Sequence, residues 1–145
     1  MKWKRNVPGI GALCFLVLSV ALAGCDSITN PRLVTSFNWT EAEDPESIVE
    51  GITTSVAYGE LFILGQIATP TRCYELDASF ARDGMELTLR VFARSSNSPN
   101  CDEREGGFRY TATMSNLDFG TYQLTVIHDV DGAAGGEYIQ DVIIR

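Results

Sequence analysis

The chain has 145 residues, of which 45% are hydrophobic and 21% charged, and this composition is typical of one small globular domain. Acidic residues outnumber basic ones by 19 to 11, and the formal net charge is −8. A surface of this sign repels nucleic acid and anionic headgroups, so DNA and RNA are not expected partners.

The first 24 residues have the three parts of a secretory signal peptide. A basic start with Lys2, Lys4 and Arg5 precedes an apolar run over 10–23, and small residues close the segment. The apolar run has about 14 residues, fewer than the ~20 that a helix needs to span a bilayer. A single membrane-spanning anchor is the alternative interpretation of this segment.

The tetrapeptide Leu22-Ala23-Gly24-Cys25 resembles the lipobox of bacterial lipoproteins. In that family diacylglycerol alkylates the cysteine, the chain is cut just before it, and the new amino terminus is usually acylated. The resemblance implies that Cys25 becomes the first residue of the mature protein and carries the lipid. Two or more acyl chains anchor stably, because each buried methylene contributes about 0.8 kcal/mol. The implied location is the bacterial cell envelope, with the protein bound to a membrane and facing the periplasm or the cell exterior.

Removal of residues 1–24 would change the character of the protein. Three of the 11 basic residues lie in that segment, so eight arginines remain against 19 acidic residues, and the net charge becomes −11. Asp26 would follow the lipidated cysteine, and in some enterobacterial lipoproteins an aspartate there retains the protein at the inner membrane. That rule depends on lineage, so the sequence leaves inner and outer membrane open.

Cysteine usage predicts one disulfide. Cys14 leaves with the signal peptide and the lipid occupies Cys25, so Cys73 and Cys101 remain as an even pair in an oxidising compartment. A bond between them closes a loop of 27 intervening residues and would stabilise the fold by roughly 3–4 kcal/mol. A metal site is the alternative, but one histidine and two separate cysteines offer too few soft ligands.

Residues 25–47 are expected to form the lipidated N-terminus and a tether, because this segment is polar and acidic and contains two prolines. It includes one possible short strand, over 33–39. We expect Phe37 and Trp39 in that strand to pack against the domain rather than to form an exposed contact.

Residues 48–145 are expected to form one domain built almost entirely of strands. The capping signal at Asp44, with Pro45 after it and Gly51 as a stop, predicts at most two turns of helix before the strands. Asp83-Gly84 predicts a hairpin. Apolar runs and alternation of apolar and polar residues predict strands over 59–69, 73–81, 85–94, 108–114, 121–130 and 137–145. Six or seven short strands with turn signals about every 8–12 residues predict an all-β sandwich.

One segment, 116–126, resembles the corner before the penultimate strand of immunoglobulin-like and fibronectin type III-like domains. The shared positions are Leu117, Gly120, Tyr122, Leu124 and Val126. In those families the tyrosine hydroxyl bonds back to the chain upstream and fixes the corner. The resemblance covers about 30 residues and implies an immunoglobulin-like antiparallel β-sandwich of about seven strands. It is not a true immunoglobulin domain, because the two cysteines are too close in sequence for an intersheet bond.

Few residues are candidates for chemistry. His128 is the only histidine, and a hydrolase triad built on it would need a nucleophile motif that the sequence lacks. We therefore interpret it as a structural or an exposed strand histidine. Asp129, Asp131 and Glu137 are a weak calcium candidate, but two alanines stand where an EF-hand loop needs an oxygen donor and a glycine. A turn rich in aspartate and glycine is the preferred interpretation.

The loop over 95–107 carries the most conspicuous exposed charges. These are Asp102, Glu103, Arg104 and Glu105. We interpret the loop as solvated and held by Cys101, although loops at the end of a sandwich are common binding sites. No cofactor motif is present, so the sequence predicts a non-enzymatic protein without a cofactor. We expect this protein to bind an envelope protein partner or to have a structural role. An inhibitor or ligand-binding module acting through this loop is the first alternative, and a small hydrolase using His128 is the second.

Overall fold

The structure, a computed structural model, describes residues 33–96, 98–99, 101–102 and 104–145. The predicted signal peptide and Cys25 lie outside these residues. No helix among the described residues is long and apolar enough to cross a membrane. The elements are β1 (Val34–Glu41), a 3₁₀ helix (Pro45–Ser47), β2 (Gly51–Ala57), β3 (Glu60–Thr69), β4 (Tyr74–Asp83), β5 (Glu86–Ser95), β6 (Gly106–Ser115), β7 (Gly120–Val130) and β8 (Ala133–Ile144).

Two four-stranded sheets pack face to face, which confirms the predicted all-β sandwich, with eight strands where about seven were expected. The first sheet has the order β1-β6-β3-β2 and the second has the order β4-β5-β7-β8. Neighbouring strands are antiparallel except β5 and β7, which run parallel. The chain crosses to the first sheet for β6 and then returns, so β5 and β7 point the same way. This pair departs from the predicted antiparallel arrangement.

The core lies between the sheets and is formed by alternate residues of the inner strands. The alternation that predicts these strands is confirmed: Phe108, Tyr110, Ala112 and Met114 of β6 are all buried. On β7 the buried set is Tyr122, Leu124, Val126 and His128. The single histidine is therefore an interior residue.

β1 is an edge strand of the first sheet and pairs with β6 along its length. Phe37 packs against Tyr110 with ring centroids 5.5 Å apart, and Trp39 packs edge-on against Phe108 at 5.4 Å. Both aromatic rings thus contact the domain, as expected, and Trp39 remains 37% exposed. The sandwich consequently includes part of the 25–47 segment that the sequence assigns to the tether.

The predicted helix start at Asp44 produces only a single 3₁₀ turn, Pro45–Ser47. The Asp44 side chain makes no capping bond, and its backbone carbonyl accepts from Ser47 Oγ at 2.7 Å. Gly51, the predicted helix stop, is the first residue of β2. One short turn fits here because the chain must cross from one edge of the first sheet to the other.

Two hairpin turns are tighter than the sequence indicates. Asp131 and Gly132 have φ of 51° and 85°, which is typical of a type I′ turn, and β8 begins at the next residue. The expected glycine-rich loop is therefore part of β8. At the other hairpin Asp83 is the last residue of β4, and the turn consists of Gly84, with φ of 57°, and Met85.

The connections at the two ends of the sandwich differ in length. One end, the turn end, has the turns 58–59 and 84–85, the loop 116–119 and the first residue of β1. The opposite end, the disulfide end, has the connections 42–50, 70–73, 96–105 and 131–132. The chain enters the sandwich at the turn end.

Candidate functional site

Cys73 and Cys101 form a disulfide, as predicted, with Cα atoms 5.3 Å apart. Cys73 directly precedes β4, and Cys101 lies in the connection from β5 to β6. Close to the bond, the backbone N–H of Ser96 donates to the carbonyl of Cys73 at 2.6 Å. The 96–105 connection is therefore fixed to the start of β4 at two points.

Arg72 joins three connections of the disulfide end. Its Nη1 lies 3.2 Å from the Glu41 carboxylate, and its Nη2 donates to the backbone carbonyl of Glu43 at 3.2 Å. Its backbone N–H donates to the carbonyl of Arg104 at 2.9 Å. One residue thus links the end of β1, the 42–50 connection and the 96–105 connection.

Asp131 holds the fourth connection. One carboxylate oxygen accepts from the Tyr74 hydroxyl at 2.7 Å, and the other accepts from the Ser95 N–H at 3.0 Å. These bonds lower the pKa of Asp131, and the Tyr74 bond is the largest cause. The same bond raises the pKa of Tyr74. The turn is therefore tied to β4 and β5.

The weak calcium candidates are used differently in the structure. The Asp129 carboxylate accepts from the Gly132 N–H at 2.7 Å, and Asp131 bonds as described above. Glu137 lies on β8 opposite Ile127. Among the described residues no group of three or more His, Cys, Asp or Glu side chains could hold a metal ion. The carboxylates of Asp129 and Asp131 stabilise a turn.

The predicted partner loop carries an internal ion pair. The Asp102 carboxylate accepts from Arg104 Nε at 2.7 Å and from its backbone N–H at 3.1 Å, and Arg104 Nη2 makes a further contact. The side-chain bond with Arg104 is the main reason that the pKa of Asp102 falls to about 2. Glu105 is exposed, whereas Glu103 lies outside the described residues. Two of the four predicted charges therefore neutralise each other.

A groove of about 380 Å³ opens on the first sheet beside the disulfide end. This volume is within the range of small-ligand clefts. Its lining includes one row of residues paired across all four strands, Trp39, Tyr110, Gly65 and Ile52. Sequence reasoning missed the groove because it combines residues of four strands with Val49 and Glu50 from the connection before β2.

Polar bonds connect the 42–50 segment to this sheet. Glu50 Oε1 accepts from the Ala68 N–H at 3.2 Å, beyond the point where β2 stops pairing with β3. Gln66 Oε1 accepts from the Val49 N–H at 3.4 Å. The segment that borders the groove is therefore attached to β3 by two side chains.

His128 lies in the interior. It is 0% exposed, and its Nε2 lies 2.8 Å from the Tyr110 hydroxyl. The rings of Tyr110 and Tyr138 meet the imidazole edge-on, with centroids 5.6 and 5.1 Å away. Burial lowers the pKa of His128, so the imidazole is neutral near pH 7. This location matches the structural interpretation and gives a substrate no access to the ring.

Two glycines make room for the tyrosines beside His128. A Cβ at Gly65 would lie 2.0 Å from Tyr110 Cζ, and a Cβ at Gly136 would lie 2.8 Å from the Tyr138 hydroxyl. Each ring therefore lies across a glycine. A glycine inside a strand can signal such a close approach, although it does not reveal the partner.

Tyr122 occupies the corner that the sequence analysis singled out. It is fully buried, and its hydroxyl accepts from Arg82 Nη2 at 3.2 Å. The same arginine pairs with Asp118 at 2.8 Å. The hydroxyl thus bonds to a side chain 40 positions upstream, on β4, rather than to the backbone that leads into the corner.

Searches against known protein families, curated proteins and solved structures find no match to the chain. Its function must therefore be inferred from its own residues. The arrangement with the most fixed geometry is the disulfide end, where a disulfide, Arg72 and Asp131 hold four connections together.

Proposed function

We propose that the chain is a lipoprotein of the bacterial cell envelope, anchored through lipid on Cys25, whose sandwich binds a protein partner through its disulfide end. The signal peptide and the lipobox support the anchor. The Tyr122 corner supports a relation to immunoglobulin-like and fibronectin type III-like domains. One observation carries the binding role: the longest connections lie opposite the end at which the chain enters.

The fixed conformation of these connections favours binding. A loop that is already held in place loses less conformational entropy when a partner binds. Here the disulfide and Arg72 fix the 96–105 connection, and Asp131 fixes the adjacent turn. Sandwich folds commonly place their binding residues on loops that a rigid scaffold holds in this way.

Charge indicates the chemistry of the partner. Carboxylates dominate the exposed side chains of the disulfide end, and they are Glu43, Asp44, Glu46, Glu50 and Glu105. Of the arginines nearby, Arg72 is paired with Glu41 and Arg104 is paired with Asp102, and the five carboxylates outnumber the exposed Arg94 and Arg109. We therefore expect a protein partner with a basic surface, and an association that weakens as ionic strength rises.

The anchor is tested at Cys25. Mass spectrometry of the native protein should show a chain that begins at this residue and carries diacylglycerol. The Cys25→Ser variant should stay unprocessed or leave the membrane fraction, and its normal retention there would contradict lipidation.

The binding end is tested by crosslinking in cells. A photoreactive residue placed at Glu46 or Glu105 should capture a partner, whereas the same residue at Glu86, an exposed position near the turn end, should not. Capture from position 86 alone would show that the partner binds at the turn end and would contradict the proposal. Loss of the products at high salt would support the basic partner.

The alternative, an inhibitor or ligand-binding module acting through the 95–107 loop, is favoured by the disulfide that holds this loop. It is tested by replacing Asp102, Glu103, Arg104 and Glu105 with neutral residues. Capture of the same partners after this change would exclude the loop and leave the 42–50 connection as the binding element.

A further inference from the structure

Large apolar side chains are exposed at the turn end. Tyr58 is 103% exposed, Phe119 is 79% exposed and Met85 is 49% exposed. They come from three different connections, namely the β2–β3 turn, the β6–β7 loop and the β4–β5 turn. Val34, where the chain enters β1, is 54% exposed at the same end.

Pairing in the first sheet brings the chain entry close to the Tyr58 turn. Val34 lies opposite Ser115 of β6. The hydroxyl of Ser115 donates to the carboxylate of Glu60 at 2.8 Å, and Glu60 directly follows the turn 58–59. The start of β1, the end of β6 and the Tyr58 turn are therefore neighbours.

Contacts in the second sheet add the other two side chains. Met85 Cε would lie 3.2 Å from a Cβ placed on Gly120, the residue that follows Phe119. Arg82, next to the β4–β5 turn, pairs with Asp118 of the β6–β7 loop at 2.8 Å. Met85 and Phe119 thus belong to one continuous end of the sandwich.

Tyr58 occupies an unfavourable backbone position. Its φ is 53°, in the left-handed region where the first central residue of a type I′ turn is usually Asn, Asp or Gly. A bulky side chain has a conformational cost there, because its Cβ crowds the following carbonyl oxygen. Because the ring is fully exposed, burial within the domain does not offset this cost. An aromatic residue kept under such strain points to a contact outside the domain.

The path of the chain identifies what lies beside this end. Seven residues, 26–32, separate Cys25 from the first described residue. The nine steps from Cys25 to Val34 reach at most about 30 Å even when fully extended. A lipid on Cys25 therefore keeps the turn end within that distance of a bilayer.

We propose that the turn end docks on the lipid bilayer, with Tyr58, Phe119 and Met85 inserted at the headgroup level. This inference rests on the proposed lipid anchor. Aromatic side chains are enriched at membrane interfaces. Weak insertion suffices, because the anchor makes docking an intramolecular step.

The charges at this end define the kind of lipid surface. Asp83, Glu86 and Asp118 are exposed there, Arg82 is already paired, and Arg145 is an exposed arginine beside the Tyr58 turn. Carboxylates therefore outnumber unpaired arginines among these side chains, and the net charge of this end does not attract anionic headgroups. Docking is apolar and requires no anionic lipid.

The test uses the chain from Cys25 to Arg145, coupled through the Cys25 thiol to a maleimide phospholipid in phosphatidylcholine vesicles. Trp39→Phe removes the single tryptophan of that chain, and a new one is introduced by Tyr58→Trp or by Phe119→Trp. The control is Val49→Trp, at an exposed position near the disulfide end. Brominated lipid should quench the tryptophans at 58 and 119 at least about twofold more than the control, since only the turn end reaches the headgroups.

Equal quenching at all three positions would overturn docking. The same result is expected if a second copy of the chain covers the turn end, because the tryptophans would then be shielded from lipid. Circular dichroism of each variant confirms that the comparison is made between folded proteins.

A second variant separates docking from folding. Asn suits a positive φ, so Tyr58→Asn should raise the melting temperature of the uncoupled protein while it lowers the quenching of the tryptophan at 119 about twofold. Val49→Ser, the matched change at the disulfide end, should leave that quenching unaltered. Unchanged quenching in Tyr58→Asn would contradict the role of the ring.

The two proposals fail in different ways. The vesicle test attaches the lipid chemically, so it does not depend on modification in the cell. An unmodified Cys25 in the native protein would overturn the anchor without altering the vesicle result. Equal quenching in the coupled protein would overturn docking and leave the anchor in place.

Discussion

Gly65 determines how the interior packs around the buried histidine. A methyl group there would lie 2.0 Å from Tyr110 Cζ, and the ring is held by its bond to His128. We expect Gly65→Ala to lower the free energy of unfolding by about 1–3 kcal/mol, as overpacked cores do, and urea unfolding measures this. In a Tyr110→Leu background the clash is absent, so the same change should cost much less. Equal costs in the two backgrounds would rule out this steric explanation.

His128 makes stability depend on pH. Burial lowers its pKa in the folded protein, so on acidification the unfolded chain binds the proton first, near the ordinary value of about 6.5. The stability linked to neutral His128 is therefore fully present above that pH. At lower pH the free energy of unfolding decreases by up to about 1.4 kcal/mol per pH unit. Urea unfolding between pH 8 and pH 5 should show this slope, and His128→Gln should flatten it.

Two aspartates make stability depend on pH in a more acidic range, which provides an internal control. The pKa values of Asp102 and Asp131 are lowered by their hydrogen bonds. The stability that they contribute is present above the unfolded value of about 3.9 and is lost as the pH falls through the lowered folded values. This acidic loss should persist in His128→Gln. A slope between pH 6.5 and pH 5 that also persists would show that another group causes it.

Residue-level prediction succeeded where the signal lies in local spacing. The pairing of Cys73 with Cys101 followed from counting cysteines, whereas for His128 the sequence left a structural and an exposed position open. The contact between Gly65 and Tyr110 could not be predicted in this way, because the two residues lie on different strands and 45 positions apart in sequence. The strain at Tyr58 was also missed, since a tyrosine in a two-residue turn contradicts the usual turn preferences.

Among the elements, β1 is attached to the sheet through β6 alone, so its inward side chains must hold it in place. We expect Phe37→Ala to lower the free energy of unfolding by about 2–3 kcal/mol, less than for a fully buried phenylalanine. Fluorescence of Trp39 should shift to the red as the strand detaches. Asn38→Ala on the outer face of β1 is the matched control and should change stability by no more than about 0.5 kcal/mol. Equal losses in both variants would contradict the packing role of Phe37.

The disulfide links β4 to the 96–105 connection and lies outside the hydrophobic core. Reduction of this bond, which joins cysteines 28 positions apart, should lower the free energy of unfolding by about 3–4 kcal/mol, because the unfolded chain regains conformational entropy. Circular dichroism in reductant should still show the sheets, since the core residues remain in place. The double variant Cys73→Ala/Cys101→Ala should match the reduced protein and be insensitive to reductant. Loss of the sheet signal would show that the bond is required for folding.

At the level of elements, the sequence indicated β3 to β7, most of β8 and a possible short strand within β1, but of their pairings only the β4–β5 hairpin. Alternation identifies which face of a strand is buried, and it carries no information about the neighbouring strand. The parallel pair β5–β7 arises from two crossings between sheets and is therefore a property of the topology. β1 was given only as a possible short strand within the tether, β2 was not predicted, and the glycine-rich first residues of β8 were assigned to a turn.

On the scale of the whole molecule, the two ends of the sandwich differ in the side chains that they expose. The turn end receives the chain from Cys25 and exposes aromatic residues, whereas the disulfide end collects long connections and exposed carboxylates. Strands of ten residues separate the two ends by roughly 33 Å. A domain that rests on its turn end would therefore present the disulfide end well above the headgroups, where a partner can reach it.

Energy transfer to a labelled lipid tests this orientation. A donor attached at Glu86, near the turn end, should transfer to an acceptor in the bilayer far more efficiently than a donor at Glu46, near the disulfide end. Inserting about 20 Gly and Ser residues after Asp26 separates two causes, since such a flexible chain adds a reach of roughly 25 Å. If the aromatic residues dock, the difference between the donors persists after the insertion, because the contact and not the tether length sets the orientation. If the difference disappears, the short connection alone orients the domain, and the exposed rings of Tyr58 and Phe119 do not hold it on the membrane.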